Sequence, residues 1–120
     1  MPDKSNEFDP ELIALAETAK ALSHPARIAI IRFLNEKGSS TCAPIIGALP
    51  LSQPAVSRHL KELKQCGLLD SESCGTSICY RVNTLRMQKF CEVVSRKCMD
   101  SNNLEVAIEV KAKPEPLNCA

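Results

Sequence analysis

Tryptophan is absent from the 120 residues, which hold one tyrosine and three phenylalanines. Aliphatic side chains must therefore fill the core, and the 44% hydrophobic content suffices for one small domain. No apolar run approaches the roughly 20 residues that cross a bilayer, so no membrane partner is expected. The N-terminus is polar and acidic, without a signal-peptide apolar stretch, which points to the cytoplasm. Histidine occurs only at His24 and His59, a scarcity that argues against metal sites built from nitrogen and oxygen ligands. A strong charge of one sign is missing too: the formal net charge is +1, so any field that attracts nucleic acid must be local. No nucleophile, base and orienting group stand out as a set, nor can paired catalytic carboxylates be picked from the surface acids. An enzyme is not expected.

Cysteine, by contrast, is plentiful. Seven cysteines are many for this length, and an odd number in a reducing compartment speaks against a disulfide framework. They read as free thiols, ligands or small core residues.

Residues Met1 to Phe8 are polar and read as a flexible start. Asp9-Pro10-Glu11 then signals a helix, and Leu12, Leu15, Ala16, Ala19 and Leu22 trace one face up to Ser23. Pro25 opens a second helix through Glu36, where Ile28, Ile31, Phe33 and Leu34 make it too apolar all round for the surface. Lys37-Gly38-Ser39-Ser40 breaks that helix, Thr41 is a candidate cap, and residues 44–49 suggest a short third helix before a turn at Pro50.

The most informative stretch runs from Leu51 to Leu69. Ser52 can cap a helix, Gln53 and Pro54 suit its first positions, and Gly67 supplies the left-handed residue that ends it. Val56, Leu60 and Leu63 recur at i, i+4 and i+7 as one buried stripe. Gln53, Ser57, Arg58, Lys61 and Lys64 fall away from it and offer the amide, hydroxyl and cationic donors that reach base edges and phosphates. An ordinary amphipathic surface helix has the same periodicity, so the flanking segments decide. Leu68 to Ser71 and Ser77 to Val82 have strand character with Cys74-Gly75 at the tip, and Thr84 caps a last amphipathic helix that runs to about Met99. Leu104, Val106, Ile108 and Val110 alternate with other residues as a strand would, ahead of Lys113-Pro114-Glu115-Pro116.

Three segments, in this order and spacing, carry a resemblance: Ala21-Leu22-Ser23-His24-Pro25-Ala26-Arg27-Ile28-Ala29-Ile30-Ile31, then Leu49 to Leu60, then Gly75-Thr76-Ser77-Ile78-Cys79-Tyr80-Arg81-Val82. From about Glu11 to Val94 the chain resembles the ArsR/SmtB family of bacterial repressors. The resemblance implies a mainly α fold with a small β-hairpin, a winged helix-turn-helix of about five helices and a two-stranded wing. It implies a DNA-binding and dimerisation domain over 9–99 and a homodimer in which the first and last helices pair; it does not reach the C-terminal tail at 100–120, for which an added edge strand and a disordered tail are both open. Double-stranded operator DNA is the implied partner, with Ser52, Gln53, Ser57, Arg58, His59, Lys61 and Lys64 at the interface. Gln53, Ser57 and Arg58 lead toward the bases, Lys61 and Lys64 toward phosphates, and His59 fits a structural hydrogen bond or a phosphate contact. Asp70, Ser71, Glu72 and Ser73 stand where the family usually has wing arginines, and Arg81 is the cation nearby. This departure weakens the case for minor-groove contacts by the wing.

Repressors of this family are released by a metal or metalloid inducer, and no resident cofactor is required. The arsenic-sensing branch has Cys-X-Cys at the start of the third helix, whereas Ser40-Thr41-Cys42 leaves only Cys42 here. Soft thiolates favour thiophilic inducers: arsenite, antimonite, or a soft divalent metal ion such as cadmium or lead. The family fold suggests Cys42 with Cys79 as a first ligand pair. Cys91 and Cys98, seven apart on one helix face, are a second that could be shared with a symmetry mate. Cys66 and Cys98 suit packing equally well, while Cys74 and Cys119 are expected exposed and reactive. Two other readings stand beside the repressor: a thiol-redox or persulfide sensor, and a winged helix that binds only proteins.

Overall fold

The computed structural model describes residues 7–99. Five helices and one hairpin follow in order: α1 (Pro10–Ala21), α2 (Pro25–Lys37), α3 (Cys42–Ala48), α4 (Gln53–Gln65), β1 (Leu69–Cys74), β2 (Ser77–Val82) and α5 (Thr84–Cys98). The expected winged helix-turn-helix is thus present, with β1 longer than the Leu68 to Ser71 segment read from the sequence. The alternating segment at 104–111 and Cys119 lie outside the described residues.

Local chemistry explains the helix starts. Asp9 accepts from the Glu11 N–H at 2.9 Å, and His24 Nδ1 accepts from the Ala26 N–H at 3.0 Å, each just ahead of a proline at the first helical position. Thr41 occupies the cap position of α3 without a side-chain capping bond. Thr84 is not the cap of α5 but its first residue: Asn83 Oδ1 accepts from the Arg86 N–H at 3.0 Å. Asn83 also donates its own N–H to the Leu68 carbonyl at 2.8 Å, so one residue both starts α5 and holds it against the root of the wing.

The core is aliphatic. Ile30, Ile31, Leu34, Ile45, Val56, Leu60, Leu63, Leu68 and Leu69 form one buried cluster drawn from α2, α3, α4 and the start of β1. α2 does not sink in all round: Ala26, Ile30, Ile31 and Leu34 are its buried residues, whereas Ile28 is 50% exposed and Phe33 only packs at the edge. A helix on one side of a small domain has one inner face, and the periodicity of this one centres on Ile30 and Leu34.

The wing pairs antiparallel, with Leu69 opposite Val82, Ser71 opposite Tyr80, Glu72 opposite Cys79 and Cys74 opposite Ser77. Gly75, at φ +65°, takes the first central position of the two-residue turn, which a type II′ turn assigns to glycine. Tyr80 also exchanges both backbone hydrogen bonds with Ser40, at 3.0 and 2.8 Å. The wing is thereby anchored to the segment that leads into α3. On the other side α1 is clamped to α5: Arg96 donates through both terminal nitrogens to Glu11 at 2.8 Å and through Nε to Glu92 at 2.9 Å. Those bonds hold the Glu11 carboxyl down to about 2. The rest of α1 is thinly covered, since Ala21 is its one buried residue.

Candidate nucleic-acid interface

The interface is built on α4. Ser52 Oγ accepts from the Ala55 N–H at 3.3 Å, so the predicted cap is formed. Past the helix, Gly67 adopts φ +85°, the left-handed turn that lets Leu68 fold back into the core. A Cβ at Gly67 would lie 2.6 Å from the Arg86 guanidinium, a mobile side-chain end that can move aside, so the positive φ is what calls for glycine.

α4 buries Val56, His59, Leu60 and Leu63, one row at i, i+3, i+4 and i+7. On the other side Ser52, Gln53, Ser57, Arg58, Lys61 and Lys64 are all exposed. The inner row fixes the helix and the outer row carries an amide, two hydroxyls and three cations. Gln and Arg can each make paired hydrogen bonds to a base edge, and the lysines can neutralise phosphates.

His59 does not belong to that outer row. It is 5% exposed and accepts from Arg27 Nε at 3.1 Å, while its ring lies 4.6 Å from that of His24. The stripe read from the sequence omitted its i+3 member because histidine looks polar. With its Nδ1 accepting from Arg27, the ring fills a core position and takes the structural hydrogen bond that was one of its two expected roles. Arg27 was equally invisible to periodicity: it also donates to the Ala21 carbonyl at 3.1 Å, tying the end of α1 and the body of α2 to α4. The signal was there, since His24, Arg27 and His59 all lie within the quoted segments.

Burial lowers the His59 proton affinity, and the neighbouring His24, Arg27 and Arg58 lower it further. The unfolded chain, with an ordinary histidine near pH 6.5, takes up this proton before the folded chain does. Stability is therefore full above about pH 6.5 and falls as pH drops through the lower folded value. Thermal melts from pH 7.5 to 5 should show this decline, and His59→Gln, which keeps an acceptor for Arg27, should flatten it. An equally steep decline in the variant would place the proton uptake elsewhere.

The thiols are arranged differently from the expected pairs. Cys42 packs against the aliphatic core, as Tyr80 and Val82 do. Cys79, adjacent to Tyr80 along β2, is on the opposite face of the hairpin. The sequence-predicted pair of Cys42 and Cys79 is therefore split by strand alternation, and the neighbour of Cys79 is Cys74. Cys91 and Cys98 are both exposed on α5. Cys66 donates its thiol to the Leu63 carbonyl at 3.2 Å, in keeping with a packing role. Among the described residues no three histidine, cysteine, aspartate or glutamate side chains are grouped as metal ligands, and no helix there is long and apolar enough to cross a membrane.

Comparison with known proteins agrees with this geometry. The family model for a helix-turn-helix domain matches residues 22–72. The HTH-type transcriptional repressor SmtB of Mycobacterium tuberculosis is 42% identical over 72 residues, 59% of this chain and 52% of the relative. The chain thus spans about half the length of that repressor. An HTH-type transcriptional regulator of Methanocaldococcus jannaschii is 34% identical over 66% of this chain and 89% of its own length. The arsenical resistance operon repressor of Escherichia coli is 36% identical over 53% of this chain and 55% of its own. Among solved structures, an ArsR-like transcriptional regulator from Rhodococcus superposes with a TM-score of 0.68 at 27% identity, covering 87% of this chain and 97% of that one. A homodimeric winged helix-turn-helix DNA-binding domain from Mycobacterium bovis gives 0.60 at 25% identity, over 83% and 94%. With its exposed basic helix, its wing and these relatives, the chain belongs to the ArsR/SmtB family of winged helix-turn-helix transcriptional regulators, which are DNA-binding proteins and not enzymes.

Proposed function

We propose that the chain is a homodimeric transcriptional repressor in which α4 of each protomer reads one half of a double-stranded operator. A thiophilic inducer, arsenite or antimonite ahead of a soft divalent metal ion, releases it. The observation that carries this reading is the division of α4, with its inner row buried in the core and Gln53, Ser57, Arg58, Lys61 and Lys64 exposed together. Two relatives bear the names of repressors, one of them of an arsenical resistance operon.

Dimerisation is supported by an apolar groove on α1 lined by Phe8, Leu12, Ile13 and Ala16, with Phe8 61% exposed, and by the homodimeric neighbour. Paired recognition helices would meet half-sites roughly 34 Å apart. Inducer bound preferentially to a form that breaks this spacing would release DNA with a coupling of about 1–3 kcal/mol, and the operator would weaken inducer binding by the same factor. Cys42, Cys91 and Cys98 remain candidate ligands, the last two exposed where a second protomer could share them.

Fluorescence anisotropy with DNA from the protein's own promoter tests the reading. In reductant, the protein should bind with a steep salt dependence, and arsenite or antimonite should release it where zinc does not. Cys42→Ser in the same titration shows whether that thiol takes part. Specific binding that no ion disturbs would remove the thiophilic inducer, and binding without salt dependence would remove the DNA partner.

A further inference from the structure

The wing holds a second feature that the repressor reading does not use. Glu72 faces Cys79 and Cys74 faces Ser77 across the hairpin, so Cys74 and Cys79 are diagonal neighbours on the face turned away from the core. Cys74 is exposed and Cys79 half-buried, and a reagent can reach them without unfolding. The adjacent Cys79 thiol pushes the Cys74 thiol above its ordinary range, with desolvation and the Glu72 charge acting in the same direction. Cys74 is therefore kept as a neutral thiol facing its partner, not as an activated thiolate.

Two soft donors, with no third ligand grouped beside them among the described residues, suit a centre that needs only two sulfurs and brings its remaining substituent itself. We propose that Cys74 and Cys79 form a dithiol site for a monosubstituted trivalent arsenical. Two As–S bonds form and two As–OH bonds break. The two thiol protons leave with the hydroxyls as two molecules of water, and arsenic stays trivalent, so no oxidant is needed. A bare metal cation takes its thiols as thiolates, whereas an arsenic hydroxyl carries the thiol proton away. The product staples β1 to β2 beside the turn. Any effect of the staple on operator release rests on the repressor reading; the binding itself does not.

Phenylarsine oxide is the probe. Reduced full-length protein receives one equivalent, then excess glutathione, and is weighed by intact mass spectrometry; operator binding of the untreated protein is measured in parallel. A two-sulfur adduct resists a monothiol and a one-sulfur adduct does not. Wild type should retain one adduct, and Cys74→Ser and Cys79→Ser should each lose it, while Cys42→Ser, Cys91→Ser and Cys119→Ser keep it. Circular dichroism checks that the serine variants fold. Retention in both wing variants, dependence on Cys42 or Cys119 instead, or no retained adduct in wild type overturns the site. Failure of the untreated protein to bind DNA overturns the repressor reading and leaves the mass result to decide the dithiol.

Discussion

Leu60→Ala should lower the unfolding free energy by about 2–5 kcal/mol, the range for emptying a leucine-sized space in a packed core. Leu60 is 1% exposed and lies in the middle of the inner row of α4, among residues contributed by α2, α3 and the root of the wing. Those neighbours cannot close the gap independently. α2 is held to α4 by the Arg27 to His59 hydrogen bond, and Leu68 and Leu69 are fixed by the turn at Gly67. With small domains stable by only about 5–15 kcal/mol, this one change removes a large share. Lys61→Ala, one residue along but exposed, should stay within about 0.5 kcal/mol. Urea titrations of the two variants provide the comparison, and equal midpoints would mean that α4 is not seated as described.

Arg58→Ala should behave in the opposite way, leaving the fold unchanged and weakening the operator complex. Arg58 projects from the first half of α4, next to Ser57 and on the same free side as Gln53, where a recognition helix meets base edges. Loss of one paired contact to guanine costs about 1–3 kcal/mol, roughly 5- to 150-fold in affinity, and should relax preference at one base position. Lys61→Ala should differ in kind: affinity should drop for all sequences alike, and the salt slope should shrink by about one unit. Anisotropy with single-base operator variants separates the two. If Arg58→Ala binds as tightly and as selectively as the parent, α4 does not read DNA through this residue.

Much of the fold was legible because it is written locally. The prolines at Pro10, Pro25 and Pro54, the cap at Ser52, the left-handed Gly67 and the turn at Gly75 each act within a few residues, and they place the element boundaries. The outer row of α4 was legible for the same reason, since a 3.6-residue repeat tells its two sides apart. Where two neighbouring residues could do one job, pattern alone chose wrongly: Thr84 and Asn83 both suit a cap, and the hydrogen bond went to Asn83, which the Leu68 carbonyl already holds. Ile28 was misplaced because hydrophobicity without a partner surface does not say which side of α2 is inside.

The sequence by itself determined the order of elements, the two-sided character of α4 and the aliphatic nature of the core, since propensity, capping and periodicity act between residues close along the chain. Only the tertiary structure decided that His59 turns inward to Arg27, that Arg96 clamps α1 to α5, and that Cys79 shares one face of the wing with Cys74 and not the core side with Cys42. Those pairings join residues between 5 and 85 positions apart, and they depend on strand register and helix rotation. Packing sets both once the elements meet.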